Sequence, residues 1–121
     1  MSGAVGTHSQ AWFANFVDDG VLVAHRYLHP LEARTYRVQA AGAYEARMPY
    51  DVRNWELGWY FTVWNTSNSD TLACRTYDGV AITNGLLLPV SIGHVILTDN
   101  STAYGTWRMF QRGAGAGPIL T

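Results

Sequence analysis

His25 and His29 stand four residues apart, the spacing at which two imidazoles on one helical face clamp a metal ion. Here Pro30 follows at once, the glutamate of an HExxH pattern is missing and no third ligand is close, so the pair reads as solvated or hydrogen-bonded histidine. Asp18-Asp19 offers paired carboxylates, but directly before Gly20 they read as turn formers, and calcium needs more oxygen ligands than surround them. Cys74 is the single cysteine, which excludes an internal disulfide and a zinc finger; between Ala73 and Arg75 it reads as a buried, inert thiol. Asp99-Asn100-Ser101-Thr102 is explained by a turn. Asn65-Thr66-Ser67 and Asn100-Ser101-Thr102 match the glycosylation sequon but also read as turns. There is no GxSxG elbow, P-loop or dinucleotide fingerprint. The expectation is a non-enzyme with no metal and no cofactor.

The richest signal is aromatic: Trp12, Trp55, Trp59, Trp64 and Trp107. In the run 57–64, Leu57, Trp59, Phe61 and Val63 alternate with Tyr60, Thr62 and Trp64, the period of two of a pleated strand. Trp59 is expected in the core with Phe61 and Val63, while Tyr60 and Trp64 point the other way, toward a partner or a ligand. Exposed aromatics on a sheet also stack sugars, which makes a carbohydrate-binding module the rival class.

These residues need a frame of short strands. Val21–Ala24 reads as a buried strand after an Asp18-Asp19-Gly20 turn, and residues 35–39 and 43–48 alternate up to Pro49. A helix over 30–46 competes on alanine, glutamate and arginine content, but Gly42, Thr35 and the tyrosines disfavour it. The strand over 71–77 is expected to pair back on 57–64 across the polar turn 65–70, and Asp78-Gly79 marks a hairpin. Runs at 80–83, 86–88, 94–97 and 104–110 complete the set, with turn signals at Asn84-Gly85 and Ile92-Gly93. Short strands with turns between them predict an all-β fold, an antiparallel β-sandwich of about eight strands. The domain spans 17–112, preceded by an extended arm (1–16) and followed by a flexible glycine-rich tail (113–121). Trp12, Phe13 and Phe16 in the arm, and Ile119 and Leu120 in the tail, are apolar anchors for a partner.

The chain has 121 residues, enough for one core, with 48% hydrophobic but only 14% charged residues, against about 25% charged in an average domain. Such a surface is expected to meet a partner. Net charge is −1 and the eight basic residues are all arginine, spread singly, so no basic stripe marks a nucleic-acid footprint. Arginine without lysine suits an interface, and is equally what a GC-rich genome encodes. No apolar run approaches the roughly 18 residues of a membrane span, and the N-terminus has no signal-peptide pattern. Neither nucleic acid nor membrane is expected as a partner.

A tyrosine-bearing strand closes on Pro49. It is followed by Gly58-Trp59-Tyr60-Phe61-Thr62-Val63, Asn65-Thr66-Ser67, Asp78-Gly79, Leu88-Pro89-Val90, Asp99-Asn100 and Trp107. Over residues 35–110 this layout resembles the small all-β modules of tailed-phage virions, found as capsid decoration (cement) proteins and as heads of fibres. Met48 stands where that pattern has leucine, and Asn100 and Trp107 are separated where it joins them. The resemblance implies a jelly-roll-like sandwich that assembles as a homo-trimer without catalysis. It binds the major capsid protein on the outside of a bacteriophage-like shell, or else forms a fibre or tail tip that touches a host glycan.

Overall fold

The computed structural model describes residues 16–113. Nine strands form one mixed sheet: β1 (Phe16–Val21), β2 (Arg26–Tyr27), β3 (Thr35–Gln39), β4 (Ala46–Arg47), β5 (Tyr60–Asn65), β6 (Leu72–Arg75), β7 (Ala81–Leu87), β8 (Ser91–Asp99) and β9 (Thr106–Gly113). Their order is β1-β3-β5-β8-β9-β7-β6-β4-β2, and the sheet curls into a half-barrel around a single core. No helix forms over 30–46.

The all-β expectation holds, but the antiparallel one does not: β1·β3, β3·β5, β2·β4, β4·β6 and β7·β9 pair in parallel. The first six strands alternate between two wings, odd strands building one and even strands the other; β8 then joins the odd wing, β7 the even one, and β9 lies between them. Each neighbour within a wing is therefore reached after a round trip through the opposite wing, the crossover that parallel pairing needs. For the same reason the 65–70 turn does not return 71–77 onto β5. It carries the chain across to β6, which pairs with β4 and β7. Only Asp78-Gly79 makes the expected hairpin, with Gly79 at φ 88° and β6 running antiparallel into β7.

Four local assignments are also corrected. Asp18-Asp19-Gly20 lies inside β1 as a bulge instead of turning the chain, its carboxylates held by Arg37 and Arg26. Val21 and Val23 are exposed, and only Leu22 of that run is buried. Asn84-Gly85 does not separate two strands; Asn84 at φ 57° kinks the single strand β7. Ile92-Gly93 likewise lies within β8.

The core is aromatic at its centre. Phe61 lies 6.1 Å from Trp107 and 6.0 Å from Tyr36 between ring centroids, and Trp55 packs 6.3 Å from Trp107. Trp59, expected inside the core, lies just before β5 and is only half-buried against this cluster. Cys74 is buried and its thiol is pushed up to about 12 by burial, so it stays protonated and inert.

Polar groups hold the wings together where ladders do not. Asn65 is fully buried at the end of β5. Its Oδ1 accepts from the Ala40 (3.2 Å) and Ser67 (3.0 Å) amides. Its Nδ2 donates to the carbonyls of Asp70 (2.8 Å), Leu87 (3.2 Å) and Leu88 (3.3 Å). Replacing the amide by a carboxylate removes two donors and sets an anion against three carbonyls. Asn65→Asp is expected to lower unfolding stability by about 3 kcal/mol or more, measured by urea denaturation, with Asn65→Ala close behind.

Candidate functional site

Alternation sends Val17, Tyr36, Val38, Phe61, Val63, Val95, Trp107 and Met109 inward, and their neighbours along each strand outward. The register then sets outward residues in rows across the sheet. One row runs Asp18, Arg37, Trp64, Ile92, Arg112; the next runs Phe16, Thr35, Thr62, His94, Phe110; a third joins Tyr60, Ile96 and Arg108.

Phe16, Tyr60 and Trp64 thus share one face, as the strand period required. Phe16 opens β1 and does not belong to a preceding arm. Trp12, Phe13, Ile119 and Leu120 lie outside the described residues. The aromatic rings are not bare. The Arg37 guanidinium carbon sits 5.1 Å from the Trp64 ring centroid, and Arg37 is itself fixed by Asp18 at 2.8 Å. Arg34 lies between Trp59 and Tyr60, 4.2 and 4.4 Å from their centroids, and its Nε donates to the Tyr60 carbonyl (3.1 Å). Each cation covers a π face from within the chain.

The least covered part of this face lies farther along, where β7 meets β9. That junction has one ladder pair, Thr83 with Arg108. The Gln111 side chain takes the place of further ladder bonds: its Nε2 donates to the Leu86 carbonyl (2.8 Å) and its Oε1 accepts from the Leu88 amide (3.0 Å). Beside it lies an open groove of about 730 Å³, lined among others by Ile82, Leu86, Leu88, Met109 and Phe110. Leu86, Leu88 and Phe110 remain 60%, 55% and 52% exposed. Arg108 reaches over Phe110 at 5.3 Å. The turn signal at Asn84-Gly85 hides this groove in the sequence, because it divides what is one strand. The available signal was Leu86-Leu87-Leu88, a run apolar on both faces of one strand.

His94 sits centrally on the face, its Nδ1 3.0 Å from Thr62 Oγ1 and its ring edge-on to Tyr60 at 5.7 Å. His25 and His29 are not drawn into a metal site. Each Nδ1 accepts a backbone amide, from Glu45 and Leu31 respectively, both at 3.0 Å. No group of three histidine, cysteine or carboxylate side chains suited to a metal ion occurs among the described residues. The face presents ring faces, guanidinium groups and aliphatic tips. No family model, no curated protein and no solved structure matches the chain.

Burial, followed by the nearby Arg112 cation, lowers the His94 pKa from its ordinary value of 6.5. The folded state therefore disfavours the imidazolium, while the unfolded chain takes up the proton at the ordinary value. The stability contributed by the neutral ring is complete above that value and is lost as pH falls through the folded pKa. The urea midpoint is expected to drop between about pH 7 and about pH 5, and less steeply in His94→Gln.

Proposed function

We propose that this chain is a non-enzymatic structural protein of a phage-like virion: a capsid decoration (cement) protein that binds the major capsid protein on the outer surface and stabilises the shell. The observation that carries the reading is the outward face of β5, β8, β9 and β7. It ends in the exposed Leu86, Leu88 and Phe110, beside Arg108 and Arg112. A decoration protein needs a frame that does not deform and a face with apolar anchors and planar donors for carboxylates, and arginine supplies the second without heavy desolvation. The curled sheet is read as a jelly-roll-like sandwich whose two wings take the place of two sheets. A homo-trimer on a shell junction multiplies weak contacts through effective concentration, with the arm and tail reaching to neighbours.

Binding to purified particles that lack the protein tests this. Wild type is expected to bind saturably. Leu88→Asp and Phe110→Asp, which place charge in the groove, are expected to weaken occupancy about tenfold or more while unfolding as wild type does. A chain deleted through residue 15, which leaves β1 intact, is expected to lose occupancy and keep its fold. Undiminished occupancy of both the groove variants and the truncated chain sinks the assignment.

A further inference from the structure

A second aromatic group lies away from this face, at the carboxyl ends of the parallel strands β2, β4 and β6. Tyr27 ends β2, Tyr50 follows β4, Tyr77 follows β6, and Tyr104 leads into β9. Tyr77 is the hub: its ring is 5.2 Å from Tyr27, 5.3 Å from Tyr50 and 5.7 Å from Tyr104, and the last pair is stacked at 21°. Tyr50 also meets Tyr104 edge-on at 6.2 Å. The rings are far from covered: Tyr27, Tyr50 and Tyr77 are 43%, 62% and 36% exposed.

We propose that this tyrosine cluster is a binding site for a neutral saccharide. Three observations select that ligand. First, none of the four hydroxyls has a hydrogen-bond partner among the described residues. The contrast is Tyr36, whose hydroxyl accepts from the His29 amide and donates toward the His29 carbonyl and Glu32. A protein partner that buried the cluster would have to satisfy four phenols at once. A polyhydroxylated ring offers donors and acceptors at that density, and its C–H faces suit the electron-rich faces of tyrosine.

Second, the cluster is held still. The Arg47 guanidinium donates to the Tyr77 carbonyl (3.2 Å), while its Nε is paired with Glu45 (2.8 Å). The Trp107 indole donates to the Tyr104 carbonyl (2.9 Å). Rigid rings with two side-chain torsions lose little entropy on binding. Third, a fixed ion pair follows Tyr50 in the chain. Arg53 grips Asp51 through both carboxylate oxygens, at 3.1 and 2.7 Å, and this hydrogen bonding lowers the Asp51 pKa to about 2. A carboxylate paired with a guanidinium still offers further lone pairs and N–H donors to sugar diols. Trp64 and Tyr60 are less suited to stacking a sugar, because Arg37 and Arg34 lie over their rings at 5.1 and 4.4 Å, whereas in the cluster only Tyr27 has a cation over it among the described residues, Arg47 at 5.9 Å.

The inference does not depend on the particle reading, and its test is separate. The full chain is passed over immobilised neutral hexasaccharides of glucose, galactose, mannose and N-acetylglucosamine. Retention on at least one is expected. Tyr50→Ala, which removes the most exposed ring and leaves the fold in place, is expected to reduce retention about tenfold. Tyr50→Phe should retain the stacking and lose only part of the binding, and Trp64→Ala should bind as wild type. Absence of retention on all four sugars overturns the proposal, as does equal retention by wild type and Tyr50→Ala. Loss of particle occupancy in Tyr50→Ala with no sugar binding also overturns it and assigns the cluster to a protein interface.

Discussion

The buried amide of Asn65 is the constraint on which the rest of this fold turns. A chain that alternates between two wings has no hairpins to bind one wing to the other until β7, β8 and β9 arrive. Even then, β9 and β7 share one ladder pair. Asn65 links the end of β5 to the amide of Ala40 after β3, to the polar turn at Ser67 and Asp70, and to the carbonyls that end β7. Both ends of the amide are satisfied, so its burial costs little, whereas a substitute with the wrong donor count leaves backbone groups unpaired in the core. Gln111 makes the matching link near the surface, and a side chain reaching across there leaves room for the groove beside it.

What could be read from sequence was the local pattern. The alternation over 57–64 correctly put Phe61 and Val63 inside and Tyr60 and Trp64 outside, although the strand itself begins only at Tyr60. The Asp78-Gly79 hairpin and the buried Cys74 were equally legible, because each depends on near neighbours alone. Pairing order was not legible. Strands of four to nine residues look alike whether their partner is next in sequence or two strands away, and turn residues favour the hairpin reading. The same ambiguity hid two bulge-like features: Gly20 and Asn84 have positive φ within strands, and a sequence shows only residues that tolerate such angles.

Arginine was legible in kind but not in use. A chain without lysine suits an interface and equally a GC-rich genome, and neither reading says where each guanidinium goes. Several are spent within the molecule: Arg26 on Asp19 and Glu32, Arg37 on Asp18 and Trp64, Arg34 on Trp59 and Tyr60, and Arg47 and Arg75 together on Glu45. Planar, weakly hydrated cations can cover aromatic rings while keeping their hydrogen bonds, which lysine does less well. This is how a domain with so little charge keeps large rings on its outer face without leaving them bare.

The alternating path also explains where the two surfaces fall. Each wing is a set of parallel strands, so the segments after its strands gather at one end, as loops do beyond the carboxyl ends of parallel sheets. The backbone repeats the arrangement in both wings: Leu22 bonds Gln39 in one, while Leu28 bonds Arg47 and Met48 bonds Arg75 in the other. The wings run in opposite senses, because β5 and β6 are related through two antiparallel steps at β8, a parallel one at β7 and a third antiparallel one at β6. The carboxyl ends of β3 and β5 meet at Asn65, whose buried side chain bonds the Ala40 and Ser67 amides and the Leu87 carbonyl at the end of β7. Those of the even strands converge on Tyr27, Tyr50 and Tyr77, whose hydroxyls have no partner among the described residues. One topology thus closes the core at one end and leaves polar-tipped rings open at the other. The leucine and phenylalanine groove is a third outcome of the same path, formed on the outward face where the last strand inserts between the wings.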